Sequence, residues 1–84
     1  MALTTAQTES DKFGAFVRRV TRAYGRRVAD RDIEALAGLH QLAGDVDVAI
    51  RQAVAGLLAA GYSWADIGRS IGMSRQGAYQ RYGR

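Results

Sequence analysis

The stretch Gly61–Tyr82, GYSWADIGRSIGMSRQGAYQRY, holds two short apolar patterns, each preceded by a serine, with only Gly72 and Met73 between the first pattern and the second serine. Ser63 followed three residues later by Asp66 has the spacing of a capping box, in which each side chain binds the other residue's backbone amide. A helix is therefore expected from Trp64 to about Ser70, with Ile67 and Ile71 facing the core. Gly72 can adopt the left-handed conformation that ends a helix abruptly, Met73 can plug the gap between helices, and Ser74 can cap a second helix. That second helix, Arg75 to Tyr82, spans about 12 Å, comparable with the roughly 12 Å width of the B-DNA major groove.

Working outward, Asp45 is the expected cap of a helix running to about Ala60, with Val46, Ile50, Ala53, Val54, Leu57 and Leu58 inward and Gly61 just past its end. Before it, Asp30 caps a helix from about Arg31 to Ala43, stopped by Gly44, with Val28 as a hydrophobic staple. Its apolar set is Ile33, Leu36, Ala37, Leu39, His40 and Leu42, and His40, alone there, reads as a packed or hydrogen-bonded core residue. From Glu9 to about Gly25, Phe13, Phe16, Val17, Val20 and Tyr24 fall on one stripe of a helix that Thr8 and Asp11 can cap. Lys12, Arg19, Arg22 and Arg26 lie on the side away from that stripe. The expected fold is all-α: one domain over 1–84, about five helices, the first three forming a scaffold that supplies most of the core, with residues 1–7 frayed.

Composition fits that fold. The 84 residues are 48% apolar and 24% charged, with ten glycines and no proline, which favours helices joined by glycine-marked turns over a sheet. With no cysteine, disulfides, thiolate metal sites and cysteine nucleophiles are excluded, and a reducing interior fits. MALTTAQTES lacks the pattern of an export signal and no run approaches a membrane span, so the expected location is the cytoplasm, in association with the nucleoid.

The formal charge is +4, and eleven of the twelve basic residues are arginine, a balance that favours a polyanionic partner. Arg18 to Arg31 holds six arginines against one acid, whereas Asp32 to Ile50 holds four acids and no lysine or arginine. One histidine, no clustered metal ligands and no glycine-rich phosphate loop leave no basis for an enzyme, a metal or a cofactor, and helix capping accounts for the carboxylates at helix starts.

The segment SWADIGRSIGMSRQGAYQRYG resembles the helix-turn-helix of bacterial and phage transcription regulators, including small actinobacterial and phage proteins, and is similar to the DNA-reading end of sigma factors. The likeness spans residues 63–82 and rests on Gly68 as the small residue inside the first helix, Gly72 as the turn glycine, and Ile67, Ile71 and Met73 as the flanking apolar positions. SRQ, Ser74 to Gln76, is also typical of the second helix's start. Where the family often carries an apolar residue this chain has Arg81, and Tyr82, at i+4 from Ala78, is expected to take over its packing role.

The resemblance implies that the helix from Arg75 enters the major groove of double-stranded DNA while the preceding helix crosses the backbone. Gln76 and Gln80 then suit adenine N6 and N7, Arg75 suits guanine O6 and N7 or a phosphate, and Tyr79 a thymine methyl or a sugar. Gly77 lets the helix approach closely. Ser63, Arg69, Ser74, Arg81 and Arg84 are candidate phosphate contacts, Ser74 with the help of the free amides and dipole at its helix start. Trp64 reads as a first-turn packing residue.

Arg19, Arg22 and Arg26 have three readings: solvated surface, partner of the acidic middle, or a second polyanion contact. A helix this short reads only about four base pairs, so a homodimer with half-sites about 34 Å apart is expected, joined through the first helix or the apolar edge around Leu39 and Leu42. The rival function is a helical interaction module gripping RNA polymerase or another regulator by its arginine face.

Overall fold

The computed structural model describes residues 5–83, so Arg84 and the first four of the seven residues expected to fray lie outside the described residues. Thr5, Ala6 and Gln7 form the first turn of α1, Thr5–Ala29. A 3-10 turn, Ile33–Ala35, leads into α2, Leu36–Ala59, followed by α3, Trp64–Ile71, and α4, Arg75–Tyr82. Every regular element among the described residues is helical. No helix among them is long and apolar enough to cross a membrane.

Among the described residues four α-helices form where about five are expected, and the difference lies between residues 30 and 45. Asp30 does not cap a helix, because its amide still donates to the carbonyl of Arg26 at 3.2 Å. The chain breaks one residue later, at Arg31, which takes the left-handed conformation with φ 67°. Asp32 is the cap instead, its Oδ1 accepting from the Ala35 amide at 3.3 Å. Gly44 stops nothing. A glycine costs only about 1 kcal/mol against alanine inside a helix, and the apolar run on both sides carries α2 through it, leaving Asp45 as an interior residue. At the other end α1 starts before Thr8, so Thr8 and Asp11 are helix interior.

Contacts divide the chain into two compact units, Met1–Gln41 and Leu42–Arg84, the boundary falling within α2. In the first unit the chain returns on itself tightly enough that a Cβ on Gly38 would sit 2.5 Å from the Tyr24 hydroxyl. The rest of the α1 stripe is uncovered: Phe13 is 70% exposed, and Phe16, Val17 and Val20 are also exposed. His40 is exposed rather than packed.

The buried core lies in the second unit, where Val54 of α2, Ile67 of α3 and Ala78 of α4 meet, flanked by Ile50, Leu58, Trp64 and Tyr82. The expected three-helix core is thus replaced by a smaller one built around α3 and α4. Val46, Ala53 and Leu57, expected inward, are exposed, because one stripe of α2 is enough to cover two eight-residue helices. Gly61 ends α2 as expected, at φ 102°, and the Tyr62 amide reaches back to the Leu57 carbonyl at 3.0 Å, the bond that closes a left-handed C-cap.

Candidate nucleic-acid interface

Three local devices fix α3 and α4. At the start of α3 the Ser63 amide donates to Asp66 Oδ2 at 2.9 Å and the Asp66 amide donates to Ser63 Oγ at 3.1 Å, completing the reciprocal box. The Ser63 amide, then its hydroxyl, then the Arg69 guanidinium hold the Asp66 carboxyl below its ordinary value of 3.8. At the end of α3, Gly72 takes φ 74° and ψ 27°, and the Met73 amide donates to the Gly68 carbonyl at 2.8 Å. Ser74 then caps α4, its Oγ accepting from the Gly77 amide at 3.0 Å.

Gly68 sets how closely the two helices approach. A Cβ there would lie 2.6 Å from the Met73 carbonyl oxygen and 2.9 Å from that of Ser74. Both are backbone atoms, so any larger residue has to push the start of α4 away. Ile71 and Met73, expected to pack inside, are exposed at the outer edge of this turn. Ile71 lies four residues beyond Ile67, about 40° farther round the helix and next to the αL turn, where the chain leaves the core.

α4 has distinct sides. Ala78 is fully buried, and Tyr82, one turn on, packs half-buried on the same cluster, taking the role expected of it. Gln76 and Gln80, also one turn apart, are both exposed and lie on the opposite side. Arg75 and Tyr79 fall on the flank beside α3 and line a shallow groove with Leu58, Ser63, Trp64 and Ala65. The Tyr79 ring meets Trp64 edge to face, with centroids 5.4 Å apart and planes at 89°. Of the four side chains assigned to base reading, the two glutamines therefore share one face and Arg75 and Tyr79 another. Trp64 is a packing residue that also orients Tyr79.

The cations assigned to phosphate are already partnered in part. Arg69 Nη2 lies 2.6 Å from Asp66 Oδ1, although the Arg69 side chain is largely exposed. Arg81 Nη2 stands 3.7 Å from Asp47 Oδ1 on α2 and over the Tyr82 ring. Asp47 also accepts from Arg51 Nε at 2.9 Å, and chiefly that bond holds its carboxyl below 3.8. Sequence reasoning missed Asp47 and Arg51, though their i, i+4 spacing on a helix is the signal that pairs them. Ser74 accepts a backbone amide, which leaves its hydroxyl hydrogen to donate, whereas the Ser63 hydroxyl, which also accepts one, already lies against the Asp66 carboxylate.

In the first unit, Arg19, Arg22 and Arg26 are exposed along α1, and the Arg19 guanidinium sits 5.8 Å from the Phe16 ring centroid. Asp32 and Glu34, the acids of the acidic middle that share this unit, form no ion pair with them among the described residues. Compared with known proteins, the chain matches no protein-family model, no curated protein and no solved structure.

Proposed function

We propose that this chain is a sequence-specific, double-stranded-DNA-binding regulator of transcription, in which α3, Gly72 and α4 act as a helix-turn-helix and α4 lies in the major groove. The observation that carries the reading is the two-sided nature of α4. One side is locked by Ala78 and Tyr82 against Val54 and Ile67, while Gln76 and Gln80 stand uncovered on the other. Such a rigid polar face suits base edges, since each glutamine offers the donor and acceptor that adenine N6 and N7 require. Arg75, at the first turn beside Ser63, takes guanine or the adjoining phosphate. Arg69, Arg81 and Arg84 supply sequence-independent attraction, and no cofactor is involved.

Selection of bound sequences from a random duplex pool tests the proposal. An enriched motif is expected, with affinity falling by orders of magnitude between about 50 and 200 mM salt as condensed counterions cease to be a driving force. Absence of an enriched motif, or binding indifferent to salt, overturns it.

A further inference from the structure

We propose that the apolar stripe of α1 is covered by α1 of a second copy of this chain, running antiparallel. The stripe is too exposed to be core: Phe13 is 70%, Phe16 52%, Val20 50% and Val17 41% accessible. The largest contiguous apolar patch on a monomer, typically about 300–600 Å², is often a functional contact surface.

What selects a second copy as the occupant is the self-complementarity of the helix. Residues 9, 13, 16, 20, 23 and 27 are spaced alternately by four and three, the seam of a two-helix coil, and they are symmetric about residue 18. Phe16 and Val20 stand two residues either side of that centre, Phe13 and Ala23 five, and Glu9 and Arg27 nine. In an antiparallel pair each aromatic ring meets a smaller side chain of the other copy, Phe16 against Val20 and Phe13 against Ala23. Each end of the seam closes with Glu9 facing Arg27. Both are exposed, and no ion pair among the described residues uses either.

The parallel alternative stacks ring on ring and sets Glu9 against Glu9 and Arg27 against Arg27. Antiparallel pairing does bring Lys12, Arg19 and Arg26 of the two copies to one flank. Their long stems carry these charges into solvent, where salt screens them, and Arg19 already folds over Phe16. The four exposed apolar side chains offer roughly 400 Å² per copy. With the flanking stems the pair reaches the low end of stable interfaces, about 1,200 Å². The dimer is accordingly expected to be concentration-dependent.

The inference rests on α1 alone, and its test needs no DNA. Sedimentation equilibrium of the full chain is expected to show a reversible monomer–dimer equilibrium. Phe13→Ser with Val20→Ser removes four large apolar contacts per dimer and weakens it by about a hundredfold or more. Glu9→Arg alone weakens it by roughly tenfold, and adding Arg27→Glu restores it to within about threefold of the parent, because the swap recreates both end pairs. All four positions are exposed, and circular dichroism checks that each variant keeps its helix content. A parent that stays monomeric over its whole soluble range overturns the proposal. So does a dimer indifferent to the serine substitutions, or a double charge swap that binds no better than Glu9→Arg.

Discussion

The carbonyl oxygen of Met73 occupies the space where a side chain on Gly68 would begin, 2.6 Å from the ideal Cβ position. Gly68→Ala therefore gains about 1 kcal/mol of helix propensity and loses more by forcing the α3–α4 turn open. A net destabilisation of about 2 kcal/mol is expected, read as a lower urea midpoint with an unchanged slope. A variant as stable as the parent would mean that the turn relaxes freely.

The polar face of α4 is predicted to carry sequence preference separately from affinity. Gln76→Ala with Gln80→Ala, both exposed, should leave stability within about 0.5 kcal/mol. Discrimination between the selected DNA site and a scrambled one should fall by about 1 to 3 kcal/mol per lost bidentate contact, with nonspecific binding kept. Electrophoretic mobility shifts on both duplexes decide it, and unchanged preference would remove these residues as readers.

Asp47 holds Arg51 at 2.9 Å and Arg81 at 3.7 Å. Asp47→Asn removes the negative charge that Arg81 faces beside α4 and so weakens its tether. DNA affinity at low salt should rise several-fold and its salt dependence steepen by up to about one unit, since one further cation becomes available to phosphate. Thermal stability should fall slightly, because the exposed pairs contribute little. Equal or weaker DNA binding would place Arg81 away from the backbone.

The capping box predicts a pH response. The folded-state pKa of Asp66 lies below its ordinary 3.8, so the stability this carboxylate contributes is complete above that value and is lost as pH falls through the lower folded pKa. A carbon-detected titration of the Asp66 carboxyl should show a midpoint below 3.8, and Asp66→Asn should remove the acid-dependent part of α3 stability. A midpoint at or above 3.8 would show that the box does not persist in solution.

Arg31 predicts a gain. At φ 67° it pays a steric penalty that glycine avoids. Arg31→Gly should raise stability by up to about 1 kcal/mol, set against the greater freedom of a glycine in the unfolded chain. Calorimetry would register this as a higher Tm, and a lower Tm would show that the Arg31 side chain has a compensating role.

The legibility of the sequence followed the range of the interactions involved. The limits of α3 and α4 were readable within a residue because their signals are local: Ser63 with Asp66, Gly72, and Ser74 with Gly77. The joint near residue 31 was not, since a left-handed arginine leaves no compositional trace and Gly44 resembles a stop unless the flanking apolar runs are weighed against it. Burial was the least readable quantity. The α1 stripe has the periodicity of a core face, yet periodicity says only that a face is apolar, not which element covers it. In the candidate site, Gln76 and Gln80 were separable from Ala78 by angle alone. That Arg81 is tethered to a carboxylate 34 residues earlier in the chain required the packing of α4 on α2.

Trp64 is the chain's single tryptophan, and it touches Tyr79 edge-on at the joint between the two short helices. The molecule thus carries an intrinsic optical reporter at that joint. Its emission follows the docking of α4 without an added dye, so loosening of the C-terminal helices can be timed independently of the α1 helix, which contains no tryptophan.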